Sequence, residues 1–143
     1  MPMTPMIAVH LTAALAALVV GPVALWARRG HTGRIAATQR PRLHRAAGYA
    51  WVTLMLLTAL SALFIHDPVL PGWFGFSPIH LFVPLTLGGL AQAFRQLFRG
   101  NVDGHRKTML GLYFGACVGA GVFTLLPQRF LGQLVWGQWL GQL

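Results

Sequence analysis

Residues 6–29 read MIAVHLTAALAALVVGPVALWARR, a long apolar run that ends in two arginines. An α-helix needs roughly 20 apolar residues to cross the hydrocarbon core of a bilayer, and this run has that length. It is too long for the hydrophobic part of a cleaved signal peptide, and no basic residue precedes it. The run therefore predicts a membrane-spanning helix that the protein retains.

The composition of the whole chain also indicates a membrane protein. Hydrophobic residues make up 55% of the 143 residues and charged residues only 9%, with a mean hydropathy of +0.60. Soluble domains carry about 25% charged residues, so this chain lacks the polar surface that water requires. One domain is expected at this length. The 11 basic residues lie between apolar runs, which favours membrane topology over nucleic-acid binding as their explanation.

Four apolar segments are predicted to span the membrane, at about residues 6–27, 45–65, 78–97 and 104–126. Ser77 is expected to cap the third helix, and Asn101 or Asp103 the fourth. Residues 128–143 are too short and too rich in glycine to span, and they predict a helix lying on the membrane surface. The expected fold is an all-α, antiparallel four-helix membrane bundle with a short C-terminal interfacial helix.

The distribution of basic residues predicts the orientation of this bundle. Only Arg129 lies outside the connections between spans one and two and between spans three and four. The basic residues of those two connections and their flanks are Arg28, Arg29, Arg34, Arg40, Arg42, Arg45, Arg95, Arg99, Arg106 and Lys107. Because cytoplasmic loops carry the excess of Lys and Arg, both termini are expected on the periplasmic side of a bacterial inner membrane.

Small residues recur at helical spacing in two of the predicted spans. Such stripes let the backbones of two helices approach closely. The first span carries one stripe on the same face as His10, and the fourth span carries a glycine stripe. The members are Ala14, Ala17 and Gly21 in the first span, and Gly111, Gly115 and Gly119 in the fourth. The glycine stripe fits packing inside the bundle and self-association equally well.

Histidines are the side chains most suited to chemistry in this apolar chain. Ionisable groups inside a membrane are costly, so they are expected to face the bundle interior or an aqueous cavity. His10 and His80 are predicted near the outer ends of the first and third spans. His44 and His105 are predicted at the inner ends of the second and fourth. His31 and His66 fall in the connecting loops.

These histidine pairs predict a b-type haem, because two imidazoles from different helices commonly ligate haem iron in helical bundles. His10 with His80 is the first choice of ligands, and His44 with His105 is the second. Arg45 and Arg106 follow the inner histidines directly, and together with Lys107 they would neutralise haem propionates. The small residues Gly48, Gly88 and Gly89 are candidates to accommodate the macrocycle.

Structural roles are an alternative explanation of the same histidines and arginines. The inner histidines and arginines would also serve to contact lipid phosphates or to cap a helix, and His10 and His80 would serve as hydrogen-bonded structural residues. A copper site is a further alternative, because thioether and imidazole suit Cu(I). Its candidate ligands are Met1, Met3, Met6 and His10, completed by His66 and His80.

Several motifs resemble a bacterial family of predicted four-helix membrane proteins of unknown function. They are LHRAAGY at residues 43–49, SPIHL at 77–81 and RGNVDGHRKTM at 99–109, together with His10 and Tyr113. The resemblance covers roughly residues 7–130, and it implies the architecture but no activity. The histidine layout is also similar to that of membrane b-type cytochromes, which is a likeness of architecture only.

Three functions follow as expectations. The first is haem-binding electron transfer with quinone or a periplasmic partner. The second is a non-enzymatic accessory subunit that packs in a larger membrane complex or in a homo-oligomer. The third is copper handling by the outer-face Met and His side chains. With only two acidic residues, carboxylate acid–base chemistry is not expected.

Overall fold

The fold is available as a computed structural model, which describes residues 4–27, 41–65, 78–127, 130–139 and 141. All regular structure in these residues is helical, and none of them lies in a strand. Some residues of the sequence predictions lie outside the described ones. They are Met1, Met3, Arg28, Arg29, His31, Arg34, Arg40, His66, Ser77 and Arg129.

The first half of the chain forms two long helices. Helix α1 spans Pro5–Trp26 and α2 spans Pro41–Ala62. Helix α2 begins and ends earlier than the apolar pattern predicts, because the polar residues before Ala46 are helical as well. The helix ends where the backbone tightens into i→i+3 hydrogen bonds, from the N–H of Leu63 to the carbonyl of Leu60 and onward to Ile65.

The second half begins with a 3₁₀ turn at Pro78–Leu81, which leads into α3, Phe82–Phe98. Helix α4 covers Val102–Gly111 and continues through a π-helical segment into α5, Gly119–Thr124. The backbone stays in the right-handed helical region through both junctions. We refer to residues 102–124 as the α4–α5 rod.

Residues 130–139 form the short helix α6, Phe130–Gly132, and a second π-helical segment, Gln133–Trp139. Trp136 Nε1 donates to the carbonyl of Leu125 at 2.9 Å, so this tail folds back onto the end of the α4–α5 rod. A helix in the tail agrees with the sequence prediction. Its place at a membrane surface stays a prediction.

Local sequence signals account for the helix starts. Pro5 is the first residue of α1, and the Thr4 hydroxyl accepts a hydrogen bond from the N–H of Ile7 at 3.3 Å. Asn101 Oδ1 accepts from the N–H of Gly104 at 2.9 Å, so Asn101 rather than Asp103 caps the rod. Gly100, with φ of 71°, takes the left-handed conformation that turns the chain from α3 into the rod.

The four long helical segments share one core. Helix α1 packs along α2, α3 packs along α4, and α2 contacts α3, so two helical hairpins lie side by side. The core side chains come from α1, α2, α3 and the rod. They are Ala17, Trp51, Met55, Leu90, Leu112 and Ala116. The structure is therefore an all-helical bundle whose four principal segments bury a common interior.

The two hairpins meet most closely at Gly21. A Cβ atom at this position would lie 2.5 Å from Cε2 of Tyr113 and 3.1 Å from Trp51 Nε1, so only glycine fits. Pro22 follows inside α1 and has no N–H for the carbonyl of Leu18. The Tyr113 hydroxyl donates to that carbonyl at 3.1 Å. A side chain of the second hairpin thus replaces the hydrogen bond that the proline removes.

The stripes of small residues are only partly where the sequence pattern predicts them. In α1 the buried residues are Ala13, Ala17 and Gly21, so Ala13 takes the place expected for Ala14. In the rod, Gly111 and Gly115 are exposed, and a Cβ atom on either would meet nothing within 4 Å. The alternative that these two glycines pack inside the bundle is therefore wrong. Leu112 and Ala116 face the core instead, about 100° further around the helix.

Among the described helices, α1 alone combines the length and apolarity of a membrane span. It has 22 residues and a mean hydropathy of 2.1, and only 17% of its most apolar stretch is buried. Its apolar side chains thus face outward rather than into a soluble core. Helix α2 opens with Arg42, His44 and Arg45, and α3 has 17 residues, so both have shorter apolar lengths.

Candidate functional site

The candidate histidines lie in two layers of the bundle. Gly21, which faces Tyr113 and Trp51, and Gly89, which faces Leu112, mark one common level. A helix rises about 1.5 Å per residue. His10 precedes Gly21 and therefore lies about 17 Å to one side of that level, and His80 precedes Gly89 and lies about 14 Å to the same side. By the same measure, His44 lies about 10 Å before Trp51, and His105 about 10 Å before Leu112, on the opposite side.

His10 is anchored to α2 through one ring nitrogen. Its Nδ1 lies 3.0 Å from the carbonyl oxygen of Thr58 and 3.0 Å from the hydroxyl of Ser61. A carbonyl only accepts hydrogen bonds, so Nδ1 carries the proton of the neutral imidazole. The Ser61 hydroxyl itself donates to the Thr58 carbonyl at 3.0 Å. The lone pair of the imidazole is therefore on Nε2, the arrangement typical of metal-ligating histidines.

His80 lies in the 3₁₀ turn that opens α3, on the same side of the bundle as His10. Its side chain is 8% exposed, and Val83, Thr86 and Leu90 continue the buried face along α3. His80 is therefore a buried histidine at the same end of the bundle as His10, and the assignment of that end to the outer side stays a prediction.

Each of the inner histidines, His44 and His105, makes one hydrogen bond to a backbone carbonyl of the preceding helix. His44 Nδ1 donates to the carbonyl of Ala24 at 2.8 Å, and His105 Nδ1 donates to the carbonyl of Ala93 at 2.9 Å. In each hairpin, a histidine near the start of the second helix is bonded to the C-terminal part of the first. Ala24 lies in the last turn of α1, where carbonyls lack intrahelical donors. This contact supports the helix-capping interpretation, and it also leaves the Nε2 lone pair available.

Arg45 and Arg106 stand beside these inner histidines, and their side chains are exposed, as is that of Lys107. Asp103 is the acidic residue of the described part of the chain, and no ion pair forms there. Six described cations and one described carboxylate therefore lie at this end, which has a net positive charge.

The three glycines that were candidates to accommodate a macrocycle do not lie against the candidate histidines. The Leu112 side chain occupies the space above Gly89, with its Cδ2 2.5 Å from where a Cβ would stand. Gly88 is exposed, and Gly48 has nothing within 4 Å of a Cβ position. None of the three packs against a histidine.

An apolar groove runs between α1 and α2 on the outward side of the hairpin. Its volume is about 390 Å³, and its lining includes Val9 and Thr12, which flank His10 along the chain. The remaining lining residues are Ala8, Ala13, Ala16, Leu54 and Leu57. The groove suits an apolar chain rather than a polar substrate.

Metal-ligating side chains do not gather in threes anywhere in the described parts of the chain. Of the copper candidates, Met6 is exposed near the start of α1, whereas Met1, Met3 and His66 lie outside the described residues.

Sequence reasoning identified the histidines but missed their partners. Thr58 and Ser61 lie three residues apart in the otherwise apolar C-terminal part of α2, residues 54–62, and that polar spacing is a signal that could have been used. The carbonyls of Ala24 and Ala93 could not have been found, because every residue carries a carbonyl. Tyr113 entered the sequence analysis only through the family resemblance, and its link to Pro22 was not recognised.

Replacing His44 by Ala is expected to lower the free energy of unfolding in detergent by about 1–3 kcal/mol, because the carbonyl of Ala24 at the end of α1 loses its donor. His105→Ala should cost less, about 0.5–1.5 kcal/mol, because the carbonyl of Ala93 lies within α3 and keeps its helical donor. Unfolding followed by circular dichroism during titration with a denaturing detergent measures this change. Arg45→Gln is the matched control, and as an exposed substitution it should change stability by less than about 0.5 kcal/mol. Histidine variants as stable as the wild type would show that the two contacts contribute nothing.

A protein-family model described as Predicted membrane protein (DUF2306) matches residues 7–140. The match confirms the resemblance found in the histidine motifs and includes all four candidate ligands. The comparisons with curated proteins and with solved structures give no match.

Proposed function

The chain belongs to this family of predicted membrane proteins (DUF2306), and from that premise we propose that it is a haem b-binding electron-transfer protein. It spans the bacterial inner membrane four times, with both termini in the periplasm. Its redox partner is quinone or a periplasmic protein. The observation that carries the proposal is the anchoring of His10 through Nδ1, which leaves Nε2 as the ligand atom.

Helix lengths and exposed side chains support the four spans. Helices α1 and α2, with 22 residues each, and the α4–α5 rod are each about 33 Å long, and α1 is apolar over a length that matches the ~30 Å hydrocarbon core. The apolar parts of α2 and of the rod begin after Arg45 and Lys107 and are each about 25 Å long. Large apolar side chains on the outside include Val19, Leu60 and Val122. Every described lysine and arginine lies at the end of the bundle marked by His44 and His105. The positive-inside rule assigns that end to the cytoplasm.

The donor set suits haem iron. His10 belongs to α1 and His80 to the 3₁₀ turn that opens α3, two parallel segments of the bundle, and the two residues lie at similar heights. Axial ligation by two imidazoles from different helices is typical of b-type haem in helical bundles, and bound haem would supply one-electron transfer. The contact of His10 Nδ1 with Thr58 and Ser61 would fix the ring orientation and raise the basicity of Nε2.

The inner pair remains the second choice of ligands. His44 and His105 have the same tautomer as His10, and Arg45 and Arg106 stand next to them, where they would neutralise propionates. However, the contacts of these histidines with Ala24 and Ala93 give them a structural role that needs no cofactor. The outer pair is therefore preferred.

The apolar groove beside His10 supports quinone as the redox partner. Quinones of bacterial membranes have long apolar tails, and the groove offers an apolar channel at the depth of the outer histidine layer. A tail lying between α1 and α2 would hold the head group near the end of the bundle that carries His10.

An absorption spectrum of the detergent-purified protein, oxidised and then reduced with dithionite, tests the proposed function. A Soret band with sharp reduced α and β bands is expected, and a pyridine haemochrome assay should give one haem per chain. A colourless protein from haem-replete cells would overturn the haem proposal. Metal analysis of the same sample would then test the copper alternative.

An accessory or self-associating role is the second candidate function, and the exposed glycines of the rod favour it. Gly111 and Gly115 leave a shallow surface beside the exposed ring of Phe114, so another helix can approach the backbone closely there. A colourless protein that elutes with a second membrane subunit, or as a dimer that Gly115→Leu dissociates, would support this role. A haem-containing monomer would exclude it as the main function.

A further inference from the structure

Six cationic side chains gather at one end of the bundle. They come from the first two turns of α2, the last turn of α3 with the residue after it, and the first turns of α4. These residues, which we call the basic end, are Arg42, Arg45, Arg95, Arg99, Arg106 and Lys107. The histidine contacts with Ala24 and Ala93 hold the helix ends together there.

The basic end carries a net positive charge. All six side chains are exposed, none forms an ion pair in the described parts of the chain, and Asp103 is the one acidic residue among them. Arg42 lies in the first turn of α2, which contains no acidic residue. A cation at a helix N-terminus opposes the helix macrodipole, whereas an anion is stabilised there. The net positive charge of the basic end and the macrodipole at the N-terminus of α2 together favour binding of an external anion.

Exposed apolar side chains border the same cations. Phe98, between Arg95 and Arg99, is 85% exposed, and Leu97 and Val102 are exposed as well. A partner that satisfies both features has an anionic head beside an apolar body. Free phosphate has no apolar part, so it complements only half of this surface.

We propose that the basic end binds the phosphate headgroups of anionic phospholipids, with Arg45 as the principal ligand on the first hairpin and Arg106 as the principal ligand on the second. These two arginines directly follow His44 and His105, whose rings are bonded to the preceding helix. The backbone that carries each arginine is therefore held in place, and arginine binds phosphate oxygens in a bidentate manner. The inference rests on the proposed four-span arrangement but is independent of haem.

Native mass spectrometry of the full-length protein in detergent tests this site. The probes are dioleoyl-phosphatidylglycerol and dioleoyl-phosphatidylcholine, titrated separately. The wild type is expected to bind the glycerol lipid more tightly, and the preference should weaken as salt is raised. Arg45→Gln combined with Arg106→Gln should lower the affinity for the glycerol lipid about five-fold at each hairpin, because each hairpin loses one cation. Binding of the choline lipid should stay unchanged.

Matched variants separate the site from general effects. Gln92→Ala, an exposed change on α3 outside the basic end, should leave lipid preference unaltered. Arg45→Lys with Arg106→Lys keeps the charge and should keep most of the preference. If the double glutamine variant does not fold, Arg99→Gln with Lys107→Gln replaces it and is also expected to reduce the preference.

Two results would overturn the proposal. One is an equal affinity of the wild type and the folded glutamine variant for phosphatidylglycerol. The other is displacement of the lipid by millimolar inorganic phosphate, which would identify a free anion as the ligand. The haem spectrum is recorded on the same samples. A haem-containing protein without lipid preference would overturn this inference alone, and a colourless protein with the preference would overturn the haem proposal alone.

Discussion

Replacing His10 by Ala is expected to reduce the haem content of the purified protein at least about 100-fold. Removal of one axial imidazole leaves the iron with a single protein ligand, and even the loss of a second-shell partner costs metal sites about 10–100-fold in affinity. The pyridine haemochrome assay, normalised to protein concentration, measures this loss. His80→Ala should have the same effect, because the two imidazoles are assigned to one iron.

Two comparisons separate ligation from a structural role for His10. Ser61→Ala removes one of the two groups that contact Nδ1 and keeps the ligand atom, so haem content should fall by no more than about ten-fold. Adding imidazole to the His10→Ala protein should restore the bis-imidazole spectrum, which a purely structural histidine would not allow. Retention of haem by His10→Ala together with its loss from His44→Ala and His105→Ala would assign ligation to the inner pair instead.

The helices were predictable because each has a local cause. A long apolar run produces α1, and Asn101 between Gly100 and Val102 produces the start of the rod. The rotational setting of the rod was not predictable in the same way. Gly111 and Leu112 are neighbours in sequence, and both suit an interior position. The choice depends on which side chain fits above Gly89, and Leu112 fills that space.

The site was predictable in its residue types but not in its contacts. A histidine in an apolar helix indicates a buried role because of its desolvation cost. What it contacts depends on the register of the neighbouring helix. His44 meets Ala24, 20 positions earlier, and His105 meets Ala93, 12 positions earlier. The two His-Arg motifs look alike in sequence, and the structure gives them the same contact across connections of different length.

The link between Pro22 and Tyr113 also depends on the register of neighbouring helices. Tyr113→Phe should lower the free energy of unfolding by about 1–3 kcal/mol, because the carbonyl of Leu18 loses the donor that replaces the missing proline N–H. Detergent-denaturant titration followed by circular dichroism measures the change. Tyr49→Phe is the matched control, because Tyr49 is 63% exposed and its hydroxyl should contribute less than about 0.5 kcal/mol.

A double-mutant cycle identifies the proline as the reason for this dependence. In a Pro22→Ala protein, the N–H of the new alanine can donate to the carbonyl of Leu18, as in a regular helix. Tyr113→Phe should then cost little, and the coupling between positions 22 and 113 should be about 1–2 kcal/mol. Equal destabilisation by Tyr113→Phe in both backgrounds would mean that ring packing against Gly21, rather than the hydrogen bond, is the contribution of Tyr113. Because the contact joins the two hairpins, a strong coupling would also show that the bundle tolerates a proline in α1 only while the second hairpin is docked against it.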